Sequence, residues 1–91
     1  MRKHGRVDAN QADIVKALRQ VGASVQSLAD IGKGCADILV GFHGRNWLME
    51  IKMPGCHLTP DEKEWHAGWQ GAVVVVRSVE EALGYLFTGE D

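Results

Sequence analysis

This sequence is short of nearly everything that marks a specialised chain. It has two cysteines, Cys35 and Cys56, far apart and with no C-x-x-C. That excludes a disulfide scaffold and lacks the paired-thiolate spacing of a zinc site, so both read as free thiols. The longest unbroken apolar run covers residues 72–76, far short of the ~20 residues that span a bilayer, and no membrane segment is expected. The basic start, Met1 to Arg6, is not followed by an apolar stretch of about 7 to 15 residues. No secretory signal is therefore expected, and the chain should stay in the cytoplasm. Neither sign of charge dominates: 10 Lys and Arg against 12 Asp and Glu leave a net charge of −2. Bulk attraction to nucleic acid is thereby excluded, so such a partner needs a local patch or bound metal cations.

What remains is globular composition, 45% hydrophobic and 24% charged in 91 residues, which suits one domain over 1–91 burying roughly 60 to 65% of its unfolded surface. Asn10 is placed to cap a first helix, with Ile14, Ala17, Leu18 and Val21 on one stripe and Gly22 ending it. Residues 23–28 alternate weakly and suggest a short strand before the turn-like Asp30-Ile31-Gly32-Lys33-Gly34. Two apolar runs, 36–42 and 46–52, flank His43-Gly44-Arg45 and read as a hairpin. Thr59-Pro60 followed by Glu62 is a capping box opening a helix that carries Trp65 and Trp69 and stops at Gly71. Residues 72–76 suit a strand covered on both faces, entering the interior of the sheet. Ser78 with Glu81 opens a last helix striped by Val79, Ala82, Leu83 and Leu86. The order α-β-β-β-α-β-α implies an α/β fold with a small mixed sheet flanked by helices.

One constellation carries chemistry. Glu50 and Lys52 are two apart on a strand and share a face, while Ile51 points to the other. If the hairpin loop is His43-Gly44, Asp37 pairs with Glu50; if it is Gly44-Arg45, Asp37 pairs with Lys52. Either register collects two carboxylates and an ammonium, whereas a one-residue slip would send Asp37 to the opposite face. Two neighbouring carboxylates repel, and one lysine balances only one charge, so a divalent cation is the natural third partner. Few, hard oxygen ligands with open positions suit Mg²⁺ better than zinc. Metal-assisted phosphodiester hydrolysis is the reaction class that uses all three groups. An acid-x-Lys triplet alone says little, since roughly 0.6 are expected by chance at this length. A solvated charged face is the alternative reading.

Gly34-Cys35-Ala36-Asp37-Ile38-Leu39-Val40-Gly41, then Glu50-Ile51-Lys52, then Leu58-Thr59-Pro60, together resemble the PD-(D/E)XK nuclease superfamily. The resemblance is strongest to the small stand-alone VRR-NUC domains of bacteriophages and bacteria, and it covers residue 10 to about residue 86. It implies a restriction-endonuclease-like αβββαβ core. It makes Asp37 and Glu50 metal ligands, the Ile51 carbonyl a third ligand and Lys52 the catalytic lysine, with Mg²⁺ or Mn²⁺ as cofactor and 5′-phosphate products. It further implies a homodimer acting on DNA, branched DNA of the Holliday-junction kind being favoured. Two positions depart from the pattern. Ala36 replaces a proline, which loosens the approach to Asp37 but removes no ligand. Gln11 replaces a first-helix Glu that helps hold metal, so that contact weakens or passes through water. Glu62 falls near a Gln common in such domains, and its role stays open.

The remaining residues have bland readings. Trp47, Trp65 and Trp69 suit a core, with base stacking or a dimer seal as alternatives, and Tyr85 joins Trp65 and Trp69 as a dimer-surface candidate. His4, His43, His57 and His66 are scattered and read as surface residues. Lys33 and Arg45, in loops beside the hairpin, are candidates for phosphate contact, and Arg2, Lys3 and Arg6 weaker ones.

Overall fold

A two-residue turn organises the sheet. His43 and Gly44 both adopt positive φ, 52° and 80°, the backbone of a type I′ turn, whose twist matches the flanking strands. A computed structural model describing residues 3–88 places α1 at Lys3–Gln20, β1 at Ser24–Ser27, β2 at Ile38–Phe42 and β3 at Arg45–Ile51. They are followed by α2 at Pro60–Gly68, β4 at Val73–Val76 and α3 at Val79–Thr88. The turn selects the His43-Gly44 register: Phe42 pairs with Arg45 and Ile38 with Met49. β1 pairs antiparallel with β2, and β4 parallel with β3, giving a mixed sheet in the order β1-β2-β3-β4.

Alternation divides the hairpin between two faces. Ile38, Val40, Trp47, Met49 and Ile51 are buried with Ile14 and Leu18 of α1 and Ala82 and Leu86 of α3. The other face carries Leu39, Leu48 and Glu50, beneath Trp65 and His66 of α2 and Trp69 just beyond it. Among the described residues no helix is long and apolar enough to cross a membrane.

Four expectations are corrected. Asn10 does not cap α1, which begins at Lys3; inside the helix its amide instead donates to the Lys52 carbonyl at 3.3 Å. α2 stops at Gly68, where Trp69 turns to extended backbone, rather than at Gly71. β4 does not enter the sheet interior. It lies outside β3, whose other side β2 occupies, and the chain continues as α3, so among the described residues no strand covers its outer edge. Val73, Val74 and Val75 are half-buried in consequence. Of the tryptophans, Trp47 is core at 8% exposure, while Trp69 is 46% exposed and stacks on Trp65 with ring centroids 4.8 Å apart.

The capping box at α2 forms as read: Glu62 N–H donates to Thr59 Oγ1 at 3.3 Å and Thr59 N–H to Glu62 Oε1 at 2.8 Å. Gly34, in the loop ahead of Asp37, packs against this first turn. Its φ is +82°, and an added Cβ would press into the Asp61 carbonyl. Gly34→Ala is therefore expected to cost about 2 kcal/mol or more, from backbone strain plus overpacking. Gly32, at φ +71° with open space around it, carries only the strain, about 1 kcal/mol as alanine. Urea denaturation of the two variants measures the difference.

Candidate active site

Extending the hairpin register one step beyond Ile38 and Met49 brings Asp37 opposite Glu50. The backbone holds it there: Asp37 N–H donates to the Met49 carbonyl at 3.1 Å, and the Asp37 carbonyl accepts from Leu28 N–H at 2.9 Å. Asp37 Oδ2 accepts from Ile51 N–H at 2.7 Å. The carboxylate thus folds over the end of β3, on the same face as Glu50, and each acid feels the other electrostatically.

Glu50 is 2% exposed, the one buried charged residue among those described, beside an apolar core. Its Oε2 lies 3.8 Å from Lys52 Nζ and its Oε1 3.5 Å from His66 Nε2. Lys52 in turn lies 2.7 Å from Glu62 Oε1. Its carbonyl accepts from Asn10, and its N–H donates to the Val76 carbonyl at 3.0 Å, so its backbone is fixed from both sides.

The electrostatics follow from crowding acids together. Burial first, then the charges of Asp37 and Glu62, pushes Glu50 from 4.5 up to about 9. Burial also raises Asp37, although the Ile51 N–H opposes it. Burial disfavours the Lys52 ammonium, but the hydrogen bond and charge of Glu62, then Glu50 and Asp37, raise it overall. Glu62 feels burial too, yet the Lys52 hydrogen bond and the Thr59 N–H hold it below the usual carboxylate range. Cys35 is pushed up by burial and by Glu50 and Asp37.

This donor set fits a hard divalent cation. Ionising Asp37 and Glu50 together is opposed by burial and by the charge of one on the other, and Glu62 takes the closest contact with Lys52, so a cation between the two acids would favour their charged forms. Among the described residues no group of three His, Cys, Asp or Glu side chains forms a complete metal cage. Two carboxylates with open positions around them instead suit an ion that keeps several waters.

The other candidates lie elsewhere. Gln11 lines a groove of about 760 Å³ between α1 and β1, with Lys16 and Arg19. Lys33 stands beside α2 with Asp61, Glu64 and Trp65. Arg45 is at the opposite end of β3 from Glu50, five residues and about 17 Å along the strand. There it donates to the Leu86 carbonyl and covers the Trp47 ring, so it is not grouped with the carboxylates. The side chains of Arg2, Lys3 and Arg6 lie outside those described. Two neighbours of the site escaped the sequence reading. Asn10 looked like a cap. His66 looked like a surface histidine, although its place four residues after Glu62 on one helix puts both on one face; it is mostly buried, at 12% side-chain exposure.

No family model and no curated protein matches the sequence. A solved structure described as a VRR_NUC domain superimposes with a TM-score of 0.70 and probability 1.00, at 25% identity over 93% of this chain and 95% of that one.

Proposed function

Because this chain is a VRR-NUC-type domain of the PD-(D/E)XK class, we propose that it is a divalent-metal-dependent endonuclease hydrolysing DNA phosphodiester bonds. The observation that carries the proposal is the convergence of Asp37, Glu50 and Lys52: the hairpin register sets Asp37 opposite Glu50, and the Lys52 ammonium is 3.8 Å from the Glu50 carboxylate. Asp37, Glu50 and the Ile51 carbonyl are the proposed ligands of Mg²⁺ or Mn²⁺. When bound, the ion supplies Lewis acidity toward a phosphoryl oxygen. Lys52 donates to the phosphate and balances the charge that grows as water attacks and the 3′ oxygen departs, leaving a 5′-phosphate. The Ile51 N–H holds the Asp37 carboxylate toward Glu50, and Asn10 and Val76 hold the Lys52 backbone.

Preference for branched DNA and action as a homodimer belong to the same proposal. A four-way junction has two-fold symmetry and needs two symmetric cuts, which a C₂ pair of identical chains supplies. Exposed Ile31, Leu39 and Trp69 around an apolar groove of about 510 Å³ support an association surface on the α2 side. Phosphate contact by Lys33, beside α2, is proposed as well.

Incubating the purified chain with a four-way junction and with linear duplex tests the reading. Cleavage is expected in Mg²⁺ or Mn²⁺, faster on the junction, and none in EDTA. Junction binding without cutting in either metal would make the chain a DNA-binding module that keeps the nuclease fold.

A further inference from the structure

Glu62 and His66 stand four residues apart on α2, so they leave the helix on one face, the face turned toward β3. Glu62 reaches Lys52 at 2.7 Å, and His66 reaches Glu50 at 3.5 Å. Glu50 and Lys52 themselves meet at 3.8 Å. The four side chains are exposed by 2% to 18%, so the chain of contacts is largely withdrawn from water.

We infer that Glu62 and His66 are positioning residues, through which α2 sets the direction of the Lys52 ammonium and the Glu50 carboxylate. The inference rests on the nuclease reading above. A lysine at the end of a strand has four rotatable bonds and about 2 kcal/mol of rotamer entropy, so its ammonium wanders unless something holds it. Glu62 is suited to hold it because its own conformation is already set. The oxygen that meets Lys52, Oε1, is the same one that accepts from Thr59 N–H in the capping box. The helix cap thus fixes the carboxylate before the carboxylate fixes the lysine. His66 acts likewise on Glu50: the hydrogen bond between its Nε2 and Oε1, the oxygen away from Lys52, limits rotation of the carboxyl group and keeps Oε2 on the Lys52 side. Such outer contacts are typically worth about 10- to 100-fold in metal affinity or rate.

A helix cap with no role beyond stability would look similar, so the variants must separate the two. Glu62→Ala removes both cap and clamp. Glu62→Gln keeps an oxygen that can accept from Thr59 N–H and from the ammonium. Thr59→Ala weakens the cap and leaves the clamp. On DNA the chain cleaves, Glu62→Ala is expected to lower kcat about 10-fold or more with KM unchanged. Glu62→Gln is expected to return kcat to within about 3-fold of wild type, and Thr59→Ala to leave it within about 2-fold, each loss being a fraction of the full effect. Calorimetry with Mn²⁺ alone gives a readout without turnover: His66→Ala is expected to weaken binding about 10-fold, and His66→Gln, long enough to donate to Glu50, to recover most of it. Circular dichroism confirms that each variant is folded at the assay temperature. Wild-type kcat in Glu62→Ala, a Thr59→Ala loss equal to that of Glu62→Ala, or unchanged Mn²⁺ affinity in His66→Ala overturns the inference while the nuclease reading stands. A wild-type chain that neither cuts DNA nor binds Mn²⁺ overturns both.

Discussion

Lys52→Ala is expected to lower the rate of DNA cleavage by about 10²- to 10³-fold, the usual cost of deleting a preorganised donor aimed at developing charge. The effect should exceed that of any α2 variant, because those leave the ammonium in place and only loosen it. DNA affinity measured in EDTA, where no turnover occurs, is expected to stay within a few-fold of wild type, since a phosphate contact used mainly in the transition state adds little to ground-state binding. The substitution also leaves Glu50 and Glu62 without the cation they share, so the variant loses stability as well as activity. Rates are therefore compared well below its melting temperature, with the folded fraction followed by circular dichroism. A folded Lys52→Ala chain that cuts at the wild-type rate removes this lysine from the mechanism.

The part of this site that lies on the hairpin was legible because strand geometry is periodic. Two residues apart on β3 means one face, and a loop of two residues fixes which residue of β2 stands opposite. Sequence left two registers open, and only the positive φ at both His43 and Gly44 decides between them. The Thr59-Pro60-Asp61-Glu62 cap was equally legible, since its spacing is local. What failed was long-range. Nothing in the spacing between Asn10 and Lys52 says that a helix interior will meet a strand end, so a residue with good capping chemistry was read as a cap. His66 was missed for the same reason: its partner is on another element, and only the docking of α2 over β3 brings them together. Arg45 shows the converse. It opens β3, a full strand length from the carboxylates, so a phosphate it contacts would lie on a stretch of backbone away from the reacting one. β4 was misplaced because a run of valines reports burial of faces and is silent about which edge is open.

Glu50→Gln is expected to abolish cleavage and, in EDTA, to make the protein more stable than wild type. The carboxylate is 2% exposed, and Asp37 lies beside it, while Glu62 holds the nearest ammonium more closely than Glu50 does. Without metal, ionising this group is opposed by burial and by two like charges, and an uncharged isostere escapes both. The gain at pH 8 should be about 1 kcal/mol or more, which in a domain of this size is roughly 4 to 8 °C in melting temperature. The sign of the pH dependence follows from the shift. Acid dissociation of Glu50 moves from 4.5 up to about 9, so across that window the folded wild type binds more protons than the unfolded chain, and its stability falls as pH rises. The contribution is full below about 4.5 and lost as pH climbs through 9, so the advantage of Glu50→Gln is expected to be small near pH 5, to grow through pH 8 and to level off above about 9. Saturating Mn²⁺ should reverse the ranking, because the wild type gains about 2.7 kcal/mol at 100-fold over its Kd and the variant, lacking a ligand, gains less. A Glu50→Gln chain no more stable than wild type at pH 8 in EDTA would mean that the buried carboxylate carries no strain, and that the charge imbalance at the centre of this site is already relieved by the protein alone.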